Sequence, residues 1–209
     1  MAGKAFGNWY LMKDKYWLPW YVGGTGQLSE AFPNCPFSPM DWNMYVCGLV
    51  LLGYPIREAV DTFVLSKRAP DFAELALHHV AHLSLASCYI LSNVLPFGAM
   101  VAFVHDISDA IVSLAKFLHS MDFSMLVVGP VYLLMQVAWF YFRLMCLPFI
   151  MIDVYNIRYA EVRIHLQPYY QVSNVFLGVL FLLHVFWFGL FQKMNYMLLF
   201  KGEAHDLQE

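Results

Sequence analysis

Five apolar runs separated by short polar breaks dominate the chain, and their lengths predict helices rather than strands. A helix needs about 20 mostly apolar residues to cross a hydrocarbon layer roughly 30 Å thick, which sets the scale for reading them. The first run covers residues 41–66 and contains Gly53-Tyr54-Pro55; Pro55 removes a backbone donor and is expected to kink the helix or end its first half. Lys67, Arg68, Pro70 and Asp71 then make a polar turn. A second helix is expected over 71–93, stopping near Pro96, with a third over 97–119 following almost at once. The fourth run covers 123–152 and the fifth 169–200. At full helical rise the fourth would reach about 45 Å, so it is expected to tilt, to kink at Pro130 or Pro148, or to project beyond a bilayer.

Residues 1–40 follow a different pattern. Trp9, Tyr10, Tyr16, Trp17, Trp20 and Tyr21 are mixed with Lys4, Lys13 and Lys15, a combination that favours the headgroup level, so this segment is expected to lie along the membrane interface. The chain then divides into that aromatic/Lys segment, a transmembrane domain over 41–200 and a polar tail over 201–209. Composition agrees: of 209 residues 60% are hydrophobic and 13% charged, too apolar for a water-soluble domain of this size. The net charge of −3, with no basic block, argues against a nucleic-acid partner and for membrane lipids as the surroundings. Cys47, Cys88 and Cys146 fall in apolar runs and Cys35 stands alone in a Pro-rich loop, which suggests neither a disulfide framework nor a zinc knuckle. Loop charge does not orient the chain: Lys4, Lys13, Lys15, Arg158 and Arg163 on one face balance Lys67, Arg68, Lys116, Lys193 and Lys201 on the other.

Against this background the polar residues inside the second and third runs stand out. An ionisable group at membrane depth costs roughly 2.5–3.5 kcal/mol on insertion scales, and here several lie close together. His78 and His82 stack at i,i+4 with His79 on the adjoining flank, while His105, Asp109 and Lys116 line one stripe of the next helix and Asp106 is displaced by about 100°. The two helices are expected to be antiparallel neighbours, which brings histidines and aspartates to similar depth. Three chemistries fit these residue types. One is acyl transfer, with a histidine attacking or deprotonating, an aspartate fixing its tautomer, and a cation or amide stabilising an oxyanion. Another is a metal site, for which His78-x-x-x-His82 has usable spacing, although no H-x-x-H-H cluster accompanies it and His119, His165 and His205 lie near ends or loops. The third is a polar network that holds helices together.

The order and spacing of these residues resemble a known signature. His78-His79, Asn93, Gly98, His105-Asp106, Ser108-Asp109 and Ala115-Lys116 resemble, without a gap, the motif of the TRAM/LAG1/CLN8 (TLC) domain family, especially its ceramide synthase branch. Phe142-Arg143-Leu144 with Leu147-Pro148-Phe149, and Asn174, Gly178 and Leu182-Leu183-His184-Val185-Phe186-Trp187, are similar to two later blocks of that family. Asp14-Lys15-Tyr16-Trp17 extends the similarity toward the start. Two positions depart: Pro96 stands where the family has an arginine, and Ser113 where it has an acidic residue.

The resemblance implies an all-α integral membrane fold, a helical barrel here expected to lack its first helix, with about five spans plus the N-terminal interfacial segment. It implies transfer of a fatty acyl group from acyl-CoA, as substrate rather than cofactor, to the amine of a sphingoid base, without metal. Carried onto the matching positions, His78 or His79 is acyl acceptor or general base, and His105, Asp106 and Asp109 complete the site. Asn93, Lys116, Arg143 and His184 are candidate substrate- or lipid-binding positions, although Arg143 and His184 also suit structural pairing inside the bundle. The endoplasmic reticulum is the compartment the family implies, with an inner organelle membrane as the alternative. A different class of function also fits: a non-catalytic subunit of a larger membrane complex, with a partner subunit supplying the absent helix. Asp153, Arg158, Glu161 and Arg163 read as a solvated loop or a partner contact.

Overall fold

The computed structural model describes residues 2–31, 39, 41–65, 71–156 and 160–201. Cys35, the Lys67-Arg68-Pro70 turn, Arg158 and the tail beyond residue 201 lie outside the described residues, as do the side chains of Glu161, Arg163 and His165. Seven α-helices carry the described chain: α1 Ala2–Met12, α2 Trp42–Val60, α3 Phe72–Leu91, α4 Leu95–Ser120, α5 Met125–Trp139, α6 Leu147–Asn156 and α7 Ala160–Lys201. No β-strand occurs among the described residues, whose sole bridge joins Pro19 to Gly26.

The five apolar runs each became helix, with boundaries shifted by a few residues at most ends. Helix α2 starts at Asp41, whose carboxylate accepts from the Asn43 N–H at 3.5 Å, and the neighbouring Lys15 ammonium holds that carboxyl below the usual carboxylate range. It does not stop at Pro55. It continues through this proline and ends in a π-helical turn, Asp61–Leu65. The fourth run is a single rod made of α5, a π-helical segment Phe140–Cys146 and α6. Pro148 supplies no N–H to the carbonyl of Leu144, which leaves the helical ladder one donor short beside that segment.

Three of the helical runs are long and apolar enough to cross a membrane by length and composition: Leu95–Ser120, Met125–Asn156 and Pro168–Leu198. Helices α2 and α3 are not among them. In α3 the polar residues responsible include His78, His79 and His82 themselves.

Packing is arranged for an apolar surrounding. Large apolar side chains are exposed along the outside, including Leu126, Leu133 and Val137 on α5 and Val175, Leu182 and Phe186 on α7, whereas Arg143, His105, His184 and Gln136 are buried. A water-soluble bundle has the opposite distribution, so the exposed faces belong against lipid. Helix α1 has the same inverted pattern. Lys4 and Asn8, one turn apart, point inward, while Phe6, Trp9 and Tyr10 face out. The N-terminal segment is therefore more than an interfacial strip: α1 packs on α4, and Met12, Trp17, Leu18, Tyr21 and Leu28 join the main core. Tyr21 donates to Asp153 at 2.6 Å and ties this segment to α6.

Helix α4 is central, touching α1, α2, α3, α5 and the π-helical segment. Its connection to α3 is tight. Asn93 adopts a left-handed conformation (φ 56°), and the Val94 N–H bonds the Tyr89 carbonyl at 2.9 Å, which closes α3 and reverses the chain. Just inside α4, Gly98 lies under the Tyr89 ring, where an added Cβ would come within 2.6 Å of Cδ2 and 3.0 Å of Cγ. Gly98→Ala is expected to destabilise the fold by about 1–3 kcal/mol, because a buried ring edge must move to admit it. Thermal unfolding in detergent micelles measures this, and an unchanged midpoint would show that the α3–α4 contact tolerates the extra methyl group.

Candidate active site

Three helices deliver a cluster of imidazoles, buried at His82, His105 and His184 and half-buried at His78. His78 and His82 come from α3, His105 from α4 and His184 from α7. Ring centroids of His105 and His184 are 4.8 Å apart, His82 and His105 6.0 Å, His78 and His184 6.1 Å, and His78 and His105 6.4 Å. His79 sits on the flank, 5.4 Å from His78, within reach of the charge of Asp109. Trp139 and Trp187 wall the cluster: Trp187 lies 5.5 Å from His78, and Trp139 donates from its indole N–H to the His184 carbonyl at 3.2 Å. Among the described residues no group of three or more His, Cys, Asp or Glu side chains is arranged to hold a metal ion.

Arg143, only 1% exposed, organises the centre from the π-helical segment. Its Nε donates to the Ser108 hydroxyl at 2.7 Å, Nη1 to His184 Nε2 at 2.9 Å and Nη2 to the His105 carbonyl at 3.3 Å, and it also pairs with Asp109. The guanidinium carbon lies 4.2 Å from the Trp139 ring centroid. Ser108 in turn donates to the His105 carbonyl at 2.8 Å, an i−3 bond that keeps the hydroxyl inside the helix and its oxygen available to Arg143. A planar fork with five donors suits this position, since each bond leaves in a fixed direction.

Asp106 is elsewhere. The displacement of about 100° from His105 turns it toward α1, where it pairs with Lys4 at 2.8 Å and accepts from Asn8; both members of the ion pair are buried, at 4% and 2% exposure. Lys4 also lies 5.0 Å from the Tyr54 ring, and Asn8 receives a bond from Cys47 at 3.6 Å. Asn93 occupies the turn after α3, about 22 Å from His78 by helical rise. Lys116 is exposed on α4, about 16 Å along the helix from His105. Thus His78, His105, Asp109, Arg143 and His184 are brought together with His79 at their edge, whereas Asp106, Asn93 and Lys116 are not.

Sequence reasoning left His82, Ser108, Trp139 and Trp187 out of the site. His82 carried a signal, its i,i+4 relation to His78. Ser108 lay beside the motif aspartate. Trp139 is one turn before Arg143 on the same face. Lys4 and Asn8, the partners of Asp106, gave no local signal beyond polarity on a short aromatic helix.

An all-α integral membrane bundle with a histidine-rich polar centre is the class that this fold and site define. The chain belongs to the TRAM/LAG1/CLN8 (TLC) domain family, whose TLC domain it matches over residues 5–193. Ceramide synthase 4 of Mus musculus is 28% identical over 202 residues, covering 91% of this chain and 50% of that protein. Ceramide synthase hyl-1 of Caenorhabditis elegans is 24% identical, covering 95% of this chain and 55% of that protein. Alternaria stem canker resistance protein 1 of Solanum lycopersicum is 28% identical, covering 90% of this chain and 63% of that protein. The chain spans about half the length of the ceramide synthases it matches. No solved structure matches.

Proposed function

We propose that this TLC-family protein is a ceramide-synthase-like N-acyltransferase, moving a fatty acyl group from acyl-CoA to the amine of a sphingoid base in the endoplasmic reticulum membrane. The observation that carries this reading is the convergence of three buried histidines, His82, His105 and His184, and the half-buried His78 from three helices, each with a buried ring nitrogen that makes no hydrogen bond. A group of neutral imidazoles in an apolar bundle supplies both bases and donors, which is what aminolysis of a thioester requires. The amine nitrogen bonds to the thioester carbonyl carbon while its surplus proton passes to an imidazole. Collapse of the resulting oxyanion breaks the carbon–sulfur bond, and the departing thiolate takes up that proton, leaving an amide and free CoA. Lipid-facing walls suit the two hydrocarbon chains of the reactants.

A second reading, a non-catalytic membrane subunit, is favoured by a specific pairing pattern. Asp106 is engaged by Lys4 and Asn8, and Asp109 by Arg143, so both motif carboxylates hold helices together. One experiment separates the two. Purified full-length chain in lipid nanodiscs, given labelled long-chain acyl-CoA and a sphingoid base, is expected to form the amide, and His105→Ala to lower the rate by about 10²–10⁴-fold. Wild-type protein that yields neither amide nor any acylated peptide would leave the packing role standing.

A further inference from the structure

His105 and His184 face one another, and in each ring the partner of one nitrogen dictates the state of the other. A guanidinium has donors and no acceptor, so the 2.9 Å approach of Arg143 Nη1 to His184 Nε2 requires a lone pair on that nitrogen and puts the ring proton on Nδ1. A carbonyl oxygen only accepts, so the 2.6 Å contact between His105 Nδ1 and the Val101 oxygen puts that proton on Nδ1 and leaves Nε2 with a lone pair. The two remaining nitrogens, His184 Nδ1 and His105 Nε2, make no hydrogen bond although the residues are 0% and 2% exposed. One N–H and one lone pair are therefore left without a partner on adjacent buried rings whose centroids are 4.8 Å apart. A buried polar group without a partner is costly, and such a cost is retained where a ligand supplies the missing bond.

We propose that His184 Nδ1–H donates to the carbonyl oxygen of the acyl thioester, that His105 Nε2 takes the proton of the attacking amine, and that Arg143 is the positioning residue that holds His184 in the donor tautomer. This assignment rests on the acyl-transfer reading and gives its proton a route. As the nitrogen–carbon bond forms, the carbonyl electron pair moves to the oxygen held by His184, and an amine N–H proton moves to His105. When the carbonyl re-forms, the carbon–sulfur electrons leave with the CoA sulfur, and His105 returns the proton to it. His105 ends neutral, and His184 never changes protonation state. The roles are not interchangeable, because Arg143 leaves His184 no lone pair on the open side and Val101 leaves His105 no proton there.

Two amide substitutions separate the donor role from mere packing. An asparagine amide overlies the Nδ1 position of histidine and a glutamine amide overlies Nε2. His184→Asn keeps a donor facing the substrate, and its kcat is expected to stay within about 10-fold of wild type. His184→Gln serves only Arg143 and should lose about 10²–10³-fold in kcat with KM little changed. A packing role would make the two variants alike or favour glutamine, and either result overturns the assignment. A second readout needs no turnover: ¹⁵N NMR of histidine-labelled full-length protein in micelles should show His184 and His105 both protonated at Nδ1. In Arg143→Met, His184 should move toward the Nε2-protonated form. A wild-type His184 protonated at Nε2 overturns the proposal even if the amide forms, whereas absence of amide with the expected tautomers overturns the acyl-transfer reading instead.

Discussion

Replacing Lys4 with methionine is expected to destabilise the protein by about 3–5 kcal/mol, the usual cost of stranding one member of a buried ion pair. Asp106 would keep the bond from Asn8 but lose its counter-ion in a site with almost no access to solvent. Asp106→Leu should do similar damage by stranding the ammonium, which keeps the Tyr54 ring and the more distant Glu58 carboxyl. The two changes together should recover most of the loss, because two apolar side chains in place of a buried ion pair are often neutral or better. Denaturant titration in mixed micelles, run as a double-mutant cycle, reads the coupling directly. Additive losses would mean that α1 is held to α4 by its apolar contacts and not by this pair.

Arg143 carries the second large effect. Arg143→Met removes the donor to Ser108 and His184 and the counter-ion of the partly exposed Asp109, and is expected to cost about 1–3 kcal/mol. Arg143→Lys should recover less than half of that. An ammonium keeps the charge, but it cannot send bonds along three fixed in-plane directions to Ser108, His184 and Asp109, and it stacks less well on Trp139. The same micelle titration measures both variants. Full recovery by lysine would reduce the hub to a simple charge pair.

Helix positions were legible in the sequence because apolar runs of transmembrane length have few alternatives. The histidine cluster was legible in part for a related reason: polar residues at helical spacing in such runs must face inward. What could not be read was long-range pairing. Asp106 and Asp109 are three residues apart, yet one serves α1 and the other the π-helical segment, and nothing local distinguishes Lys4, 102 residues away, from the aromatic headgroup pattern around it. That pattern suggested an interfacial segment, and gave no sign that Lys4 and Asn8 also tie α1 to α4. Proline was a partial guide: Pro55 does not end α2, and Pro148 follows a π-helical segment, an irregularity of the kind that bends helices.

The indole rings around the histidines give the protein a built-in optical reporter. Trp139 and Trp187 lie within 5.5–6.2 Å of the imidazoles of His78 and His184, and the remaining tryptophans, Trp9, Trp17, Trp20 and Trp42, all belong to the first 42 residues. Fluorescence from the two site tryptophans is therefore separable from the rest by substituting residues in one stretch of chain. Its intensity and wavelength follow the polarity, occupancy and proton traffic of the histidine cluster itself.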